Sequence, residues 1–552
     1  MVDALKKAAW FPGRKGPVLL VIMDGVGFGK YADGDAVKAA YTPNLDWFLA
    51  NCPNTKLKAH GVAVGLPSDA DMGNSEVGHN AMGAGRVFDQ GAKLVSNSIA
   101  SKKMFADQGW TEVAENVKKN HSTLHFIGLF SDGNVHSHID HLKAMMEEAA
   151  AQGIDKIRVH ILLDGRDVGE TSALDYVLPF EEFLAGLRQR GCDARIASGG
   201  GRMFITMDRY NANWAMVERG WKTHVLGEGR TFPSAQAAIE TLRQETHAID
   251  QDLGAFVIAD PAGKPVGTIQ DGDSVVYFNF RGDRAIEISQ AFEGGEEFSR
   301  FDRVRVPKVC YAGMMQYDGD LHIPSRYLVS PPAIDRTSGE YLAATGITTF
   351  ACSETQKYGH VTYFYNGNKS GYIDEKLEKY LEVPSDIVPF EQRPWMKGAE
   401  ITDALLEAIE SGKYRHLRCN FPNGDMVGHT GSFPAVRIGV EAVDLCLGRL
   451  KEAIDRVGGV MVITADHGNA DDMLEHAKDG SPKMGENGKP KVKTSHSLNP
   501  VPCIVYDPQY QGEYKKELKE GLGISSIAAT LMNLLGYEAP EDYDSSVLQP
   551  NK

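Results

Sequence analysis

Short runs of aliphatic and β-branched residues recur along this chain, and longer stretches with apolar residues at helical spacing separate them. This alternation is typical of α/β domains, because parallel strands need a crossover connection that is usually a helix. The predicted strands lie at 18–23, 124–129, 157–163, 274–280, 415–420, 460–464 and 501–505. The predicted helices lie at 140–152, 175–190, 234–246, 400–411, 436–455 and 524–535. The expected fold class is therefore α/β, with mainly parallel sheets flanked by helices.

The length of the chain and two breaks in this pattern predict a division into domains. A chain of 552 residues exceeds one ordinary domain. Glycines loosen the backbone at 83–91, and prolines at 330–335 block helix formation, so both stretches are expected to be connections or hinges. We predict one domain formed by 1–89 and 331–552, and a second domain, 90–330, inserted into it.

Composition argues against several classes of partner. The net charge is −16, from 58 basic and 74 acidic residues, which disfavours nucleic acid and anionic membranes. No apolar run approaches the roughly 20 residues of a membrane span. The seven cysteines lack CxxC spacing, as is typical of free thiols in a reducing compartment. We expect a cytoplasmic protein, and a monomer, because no long heptad or apolar stripe is evident.

Acidic and imidazole side chains follow three predicted strands, and one more lies before the last strand. These candidate metal ligands are Asp24, Asp425, His429, Asp466, His467 and His496. Because sites in open α/β sheets form at the carboxyl ends of strands, we expect these groups to converge. Asp425 and His429 would share one face of a helical turn. Carboxylate with imidazole suits Mn²⁺, Zn²⁺ or Co²⁺ better than Mg²⁺, and two such ions could grip a phosphoryl group and an attacking oxygen together.

A serine precedes a plausible helix start in the segment Asp71-Met-Gly-Asn-Ser75-Glu-Val-Gly-His-Asn80. A serine in such a turn is usually an N-cap that accepts a backbone N–H. Such a turn can also expose the serine hydroxyl where a strand ends and a loop begins, which is a usual position for a nucleophile. The metal-ligand set elsewhere in the chain favours the nucleophile.

Positive charge is concentrated after four strands in the middle of the chain. The residues are His136, Arg166, Arg202, Arg209, Arg281 and Arg284, which we call the arginine set. Guanidinium groups bind phosphate and carboxylate in a bidentate manner that lysine does not reproduce. In an acidic protein, this set predicts a local site for an anionic substrate.

The order of these motifs resembles the alkaline phosphatase superfamily and, more narrowly, the cofactor-independent phosphoglycerate mutases of the plant and trypanosomatid branch. The resemblance covers essentially the whole chain, and the Ser75 segment is its most specific part. It implies an alkaline-phosphatase-like domain with an inserted α/β phosphotransferase domain, and Ser75 as the phosphorylated nucleophile. One metal ion would be held by Asp24, Ser75, Asp466 and His467, and the other by Asp425, His429 and His496.

The same resemblance implies interconversion of 3-phosphoglycerate and 2-phosphoglycerate, in glycolysis and gluconeogenesis, without 2,3-bisphosphoglycerate. The arginine set and Asp167 would bind this small-molecule substrate, Asp167 would also move a proton between its hydroxyls, and Lys357 would activate Ser75 or hold the phosphate. The two ions would be divalent, with Mn²⁺ favoured and Co²⁺ or Mg²⁺ open. One departure is Asn134, where the family usually has glycine.

Three other readings stay open on the residues alone. A phosphomonoester hydrolase of the same superfamily would use the same metal and serine set, but simple hydrolysis needs no tight grip on the leaving alcohol. A phosphopentomutase would have threonine in place of Ser75. A catalytically silent metal- or phosphate-binding module would have no reason to keep every expected ligand.

Overall fold

The chain divides into two compact units. The computed structural model describes residues 2–66, 69–209, 213–317, 322–330, 334–477, 479–485 and 488–551. The first unit comprises Met1–Gln90 and Ala333–Lys552, and the second comprises Gly91–Pro332. The chain thus passes between the units inside the two predicted connections, although positions 331–333 of the second connection lie outside the described residues.

The secondary structure alternates strands and helices throughout. The strands, labelled β1 to β14 in chain order, are Val18–Met23, Asn54–Leu57, Leu124–Leu129, Lys156–Leu163, Asp193–Gly201, Arg230–Phe232, Phe256–Ile258, Ser274–Tyr277, Cys310–Gly313, Thr349–Glu354, Glu378–Val383, His416–Phe421, Val460–Thr464 and Val501–Tyr506. The α-helices, labelled α1 to α17, are Ala36–Ala39, Pro43–Asn51, Ser75–Ala84, Gly91–Ala100, Lys103–Ala106, Gln108–Asn120, Ile139–Ala151, Ala173–Gln189, Trp214–Trp221, Ala235–Thr246, Ile286–Glu293, Ser338–Ala344, Thr355–Gly359, Gly398–Glu410, Asn423–Gly428, Phe433–Val457 and Ser526–Leu534.

The first unit is built on a sheet in the order β11-β10-β12-β1-β13-β14-β2. The first five strands in this order, from β11 through β10, β12 and β1 to β13, pair in parallel. Strand β14 is antiparallel to both of its neighbours, β13 and β2. Every residue of β1, β12 and β13 is buried, as expected of central parallel strands covered on both faces. Helices α14, α16 and α17 bury apolar residues in the same core. The carboxyl ends of β12, β1 and β13 therefore lie side by side.

The second unit has its own sheet, in the order β6-β7-β5-β4-β3-β8-β9. Strands β5, β4, β3, β8 and β9 pair in parallel, and β7 is antiparallel to β5. The apolar sides of α6, α7, α8 and α10 pack into its core. The α/β fold class with mainly parallel sheets is confirmed. The carboxyl ends of β3, β4, β5 and β8 are neighbours, which places the arginine set at one edge.

The predicted strands and helices are all present, with small shifts at their ends. The predicted strand 274–280 stops at Tyr277, because the side chain of Asn279 accepts the N–H of Leu129 at 2.8 Å in place of a backbone carbonyl. All seven cysteines are free thiols, as predicted. Among the described residues, none of the helices combines the length and the apolar character that crossing a membrane requires.

The predicted flexible connection 83–91 is wrong at its beginning. Gly83 lies inside α3, and a Cβ atom there would approach the carbonyl oxygen of Tyr365 to 1.8 Å. Gly85 ends the helix in the left-handed conformation, with φ of 63°. Gly83 thus serves close packing between α3 and the backbone at Tyr365, and the connection itself spans only 85–90.

We expect Gly83→Ala to lower the free energy of unfolding by at least about 2 kcal/mol, because its methyl group would overlap backbone that cannot move independently. The matched control is Gly186→Ala in α8, where a Cβ atom would meet nothing within 4 Å. That change should raise stability by about 0.5–1 kcal/mol, since alanine is the better helix former. Thermal and urea denaturation of both variants measures the difference, and equal effects would contradict the packing role.

Candidate active site

Ser75 is the first residue of α3, and its side chain is buried. The N-cap of this helix is Asn74, whose side chain accepts the N–H of Val77 at 3.1 Å. The possibility that Ser75 caps the helix is therefore wrong. Its hydroxyl is available to polar groups at the carboxyl ends of β1 and β13, with Nε2 of His467 at 3.0 Å and Oδ1 of Asp24 at 3.4 Å.

Lys357 approaches Ser75 from α13, which follows β10. Its Nζ lies 2.5 Å from Oγ of Ser75, 2.8 Å from Oδ2 of Asp425 and 3.1 Å from Oδ2 of Asp24. Burial disfavours the ammonium charge, but the carboxylates of Asp24, Asp425 and Asp466 outweigh burial and raise the pKa of Lys357. A lysine that keeps its proton cannot act as a base toward Ser75. It can donate a hydrogen bond to the hydroxyl and stabilise an alkoxide there.

The first ligand group consists of Asp24, Asp466 and His467, whose ligand atoms lie within 4.8 Å of one another. Burial and the charge of Asp466 raise the pKa of Asp24 to about 6, and burial also raises the pKa of Asp466. Oδ2 of Asp466 is buried and receives no hydrogen bond from the described residues. Burial and then the nearby His496 lower the pKa of His467 to about 3, so its ring is neutral and suited to bind a metal. A bound cation would offset the repulsion between the buried carboxylates of Asp24 and Asp466.

The second ligand group consists of Asp425, His429 and His496. Oδ1 of Asp425 lies 3.0 Å from Nε2 of His429 and 3.1 Å from Nε2 of His496, and the two nitrogens are 3.2 Å apart. The other nitrogens, Nδ1, lie 2.7 Å and 2.6 Å from the carbonyl oxygens of Thr494 and Gly73. A carbonyl oxygen only accepts, so Nδ1 carries the proton in each ring.

This arrangement fits a divalent metal ion. When each ring carries only its Nδ1 proton, the Nε2 lone pairs of His429 and His496 converge on the same carboxylate oxygen, and lone pairs so close repel unless a cation lies among them. The i, i+4 spacing of Asp425 and His429 is that of a helical turn, since the N–H of His429 donates to the carbonyl of Asp425 at 3.0 Å. Imidazole and carboxylate donors are the set that Mn²⁺, Zn²⁺ and Co²⁺ accept.

Three polar residues that the sequence analysis missed orient the ligands. Asn420 donates to Oδ2 of Asp24 at 2.8 Å, and Asn469 donates to Oδ1 of Asp425 at 3.1 Å. His79, with Nδ1 2.7 Å from the carbonyl oxygen of Ser75 and 3.5 Å from Oδ2 of Asp466, is buried, and burial lowers its pKa to about 4. An asparagine at the end of a buried apolar strand was the available signal, because its amide needs a partner there.

In the second unit, Arg202 is the buried centre of the arginine set. Its Nη1 lies 2.8 Å from Oδ1 of Asp164 and also contacts Oδ2 of Asp167. Burial alone would raise the pKa of Asp167, but the charges of Arg202 and then Arg166 outweigh burial and lower that pKa. Asp167 is thus ionised. Within the described chain, the buried Nε of Arg202 has no hydrogen-bond acceptor.

A third carboxylate, Asp283, contacts other members of the arginine set. Its Oδ2 lies 3.2 Å from Nη1 of Arg209, and its Oδ1 lies 3.3 Å from Nε of Arg281 and 3.5 Å from Nδ1 of His136. The sequence analysis missed Asp283, although its place between Arg281 and Arg284 was a signal. Arg284 itself donates from Nη1 to the carbonyl oxygen of Met207 at 2.6 Å.

Among the described residues, positive charge exceeds negative charge around the arginine set. As a group, its five arginines contact three carboxylates in this part of the chain, Asp164, Asp167 and Asp283. Burial and the neighbouring charges of Arg209, Arg166 and Arg202 lower the pKa of Arg284, as expected where guanidinium groups crowd together. The structure therefore brings the predicted set together in the second unit, whereas Ser75, Lys357 and all the metal-ligand residues belong to the first unit.

Comparison with known proteins assigns the family. Residues 16–539 match the Metalloenzyme superfamily. A Leptospira interrogans protein named probable 2,3-bisphosphoglycerate-independent phosphoglycerate mutase is 56% identical over 548 residues, which cover 99% of each chain. The chain belongs to the 2,3-bisphosphoglycerate-independent phosphoglycerate mutase family. The enzyme of that name from Trypanosoma brucei brucei is 53% identical and covers 98% of each chain.

A solved structure of this mutase family supports the fold as well. The phosphoglycerate mutase of Leishmania mexicana, crystallised at low cobalt concentration, has 52% sequence identity and a TM-score of 0.94. The match covers 99% of this chain and 100% of that chain. The family resemblance predicted from the sequence is therefore confirmed.

We expect the metal-free protein to bind two Mn²⁺ ions per chain, and His429→Asn to bind only one tightly. The substitution removes a ligand of the second group and leaves Asp24, Asp466 and His467 intact. Calorimetric titration with Mn²⁺ after chelation gives the stoichiometry. The control is His121→Asn, at an exposed helix end where asparagine tolerates φ of 47°. Two tight ions in the His429 variant would contradict the assignment.

Proposed function

We propose that this chain interconverts 3-phosphoglycerate and 2-phosphoglycerate by passing the phosphoryl group through Ser75, without 2,3-bisphosphoglycerate. The family supports the reaction. The observation that carries the residue assignment is the position of Ser75 Oγ, which lies 2.5 Å from the Lys357 ammonium and 3.0 Å from His467 beside the two ligand groups. Such a hydroxyl is placed to attack a phosphate in line.

The two ligand groups would hold divalent ions, and the mixed imidazole and carboxylate donors favour Mn²⁺, with Co²⁺ or Mg²⁺ as further candidates. Bound there, the ions would neutralise phosphate charge and lower the pKa of the Ser75 hydroxyl. Lys357 adds a hydrogen bond to the same oxygen. In the metal-free site Lys357 holds its proton, so we assign it to stabilising the alkoxide and then the phosphate.

The arginine set binds the phosphoglycerate and keeps the glycerate during transfer. Its excess positive charge and fixed guanidinium planes suit a ligand with one phosphate and one carboxylate. We assign the first unit as the metal and serine domain, and the second unit as the substrate-binding phosphotransferase domain. Closure of the domains, which would exclude water during transfer, stays a prediction.

Asp167 is the residue that we assign to proton transfer between the two glycerate hydroxyls. In the free site its carboxylate is paired with Arg202, which makes it a weak base. An anionic substrate that binds Arg202 competes for the same guanidinium group. Its binding would raise the pKa of Asp167 and let the carboxylate accept a proton from one hydroxyl and return it to the other.

The second candidate is a phosphomonoester hydrolase with the same metal and serine set. The arginine set argues against it, because hydrolysis has no use for a leaving alcohol that stays bound. We further propose that the protein is a cytoplasmic monomer, because its seven free cysteines are typical of a reducing compartment and no long heptad is evident in its sequence. Its net charge of −16 disfavours polyanionic partners, which supports action on small molecules.

With 3-phosphoglycerate and Mn²⁺ and no 2,3-bisphosphoglycerate, the protein should form 2-phosphoglycerate, as followed through coupled enolase. Ser75→Ala should lower the rate by at least about 10⁴-fold, because no other nucleophile can hold the phosphate. Ser101→Ala, at an exposed serine, is the control and should retain the rate. Release of free phosphate in place of 2-phosphoglycerate would favour the hydrolase, and product formation by the Ser75 variant would exclude the phosphoserine route.

Asp167→Asn should lower kcat by about 10²–10⁴-fold with little change in KM, because the amide keeps the contact with Arg202 but cannot accept a proton. Steady-state kinetics in both directions measures the split. Asp140→Asn, in the exposed first turn of α7, is the matched control. A variant with unchanged kcat and a raised KM would show that Asp167 only binds substrate.

A further inference from the structure

A continuous chain of buried polar side chains crosses the core of the second unit. Its members, in order of contact, are Thr206, His224, Ser198, His160, His125 and Asp273, and none is more than 3% exposed. The successive contacts are 2.9 Å from Thr206 Oγ1 to His224 Nε2, 2.8 Å to Ser198 Oγ, 2.7 Å to His160 Nδ1, 3.0 Å to His125 Nδ1 and 3.1 Å to Asp273 Oδ2. We call these residues the histidine chain.

The carboxylate of Asp273 fixes the direction of every hydrogen bond in the histidine chain. Asp273 accepts the N–H groups of Thr123 and Gln270 at 2.8 Å and 2.7 Å, and as a carboxylate it can only accept. His125 must therefore donate from Nε2, which leaves Nδ1 as an acceptor in the neutral ring. Burial lowers the pKa of His125 and of His224, so one proton per ring is expected.

The same logic carries to the other end of the histidine chain. His160 donates from Nε2 to His125 and accepts the hydroxyl of Ser198 at Nδ1. Ser198 accepts from Nδ1 of His224, and Nε2 of His224 then accepts the hydroxyl of Thr206. Every donor has one acceptor, so the chain is satisfied in a single arrangement that ends at Thr206.

A β-bulge between β4 and β5 brings Ser198 into the histidine chain. Between β4 and β5, Val159 lies opposite Ile196 but His160 lies opposite Ser198, so a β-bulge skips Ala197. A bulge in the middle of a buried parallel pair disrupts the ladder locally. Here it places the Ser198 hydroxyl between the rings of His160 and His224, which a regular register would not do.

Thr206 is held in an unusual backbone conformation. Its φ is 69°, in the left-handed region that β-branched residues rarely adopt. The N–H of Met207 donates to the carbonyl of Ile205 at 2.7 Å across it, which is the strained form of the γ-turn. The N–H of Thr206 donates to the carbonyl of Met216 at 2.9 Å, and a Cβ atom at Gly220 would lie 2.1 Å from Thr206 Oγ1.

This turn lies inside the arginine set. Thr206 follows Arg202 by four residues and precedes Arg209 by three. The carbonyl oxygen of Met207, the last residue of the turn, accepts a hydrogen bond from Nη1 of Arg284 at 2.6 Å. The direction of that carbonyl depends on the backbone angles at Thr206. A change at Thr206 would therefore displace the acceptor of Arg284 and the start of the segment that carries Arg209.

We propose that the histidine chain, anchored on Asp273, fixes the turn at Thr206 and thereby positions Arg209 and Arg284 for the phosphoglycerate. Thr206, His224 and Ser198 are then positioning residues of the substrate site. This proposal rests on the function proposed above. The competing role, a polar network that only stabilises the core, predicts loss of stability without a specific loss of substrate affinity.

The test uses the full-length protein with Mn²⁺ and 3-phosphoglycerate. Thr206→Val keeps the branched side chain but removes the hydroxyl that donates to His224, and KM should rise about tenfold with kcat changed less than about twofold. Thr206→Ser restores the hydroxyl and should restore KM. Ser198→Ala interrupts the chain with little change in volume, and should also raise KM if Thr206→Val does not fold.

The control is Val177→Ala, which opens a cavity in the core of the second unit at α8, a helix that supplies no member of the histidine chain. It should lower the melting temperature and leave KM unchanged. An unchanged KM in both Thr206→Val and Ser198→Ala, or an equal rise in KM in Val177→Ala, would overturn the positioning role. Failure of the wild-type protein to turn over 3-phosphoglycerate would instead reject the proposed function, so the two failures are distinguishable.

Discussion

Three buried carboxylates around one buried ammonium determine the chemistry of the first unit. Asp24, Asp425 and Asp466 lie at the carboxyl ends of adjacent parallel strands, and Lys357 is the cation that contacts two of them directly. Parallel pairing of β12, β1 and β13 forces this proximity, because their carboxyl ends cannot diverge. Three negative charges against one positive charge leave this buried site with a net negative charge, which divalent ions can neutralise. Ser75, the proposed nucleophile, lies in this same site, with its Oγ 2.5 Å from Nζ of Lys357.

The second unit has the opposite imbalance. Arg202, Arg209 and Arg281 are paired with Asp167 and Asp283, so the free site already holds part of its counter-charge within the chain. A ligand must displace these arginine–carboxylate contacts, because the guanidinium groups are already paired. This competition weakens binding but makes it specific for anionic groups that match the guanidinium planes. The same pairing explains why a carboxylate with a lowered pKa lies in a substrate site: its basicity depends on what else occupies Arg202.

The sequence predicted the ligand groups because their pattern is local: an apolar strand followed by an acid or a histidine. It located the arginine set by the same kind of local pattern, and Lys357 through the family resemblance. It missed the contacts of Asn420 with Asp24, of His79 with Asp466 and of Asp283 with Arg209, because each joins residues distant along the chain. It misread Gly83 because the local pattern cannot show that the Tyr365 carbonyl lies against it. Asn134 replaces a glycine usual in the family, and its φ of 58° gives the physical reason for that glycine.

The glycines of α3 have a consequence for the position of Ser75, the proposed nucleophile. A Cβ atom at Gly78 would lie 2.9 Å from the carbonyl oxygen of Asp466, and the one at Gly83 would lie still closer to the backbone at Tyr365. The helix thus packs directly on main-chain atoms at two points, which a change of side-chain rotamer cannot move. The backbone therefore fixes the position of Ser75 before any ion or substrate binds. To move the Ser75 hydroxyl, redesign would have to begin at Gly78 and Gly83, not at Ser75 itself.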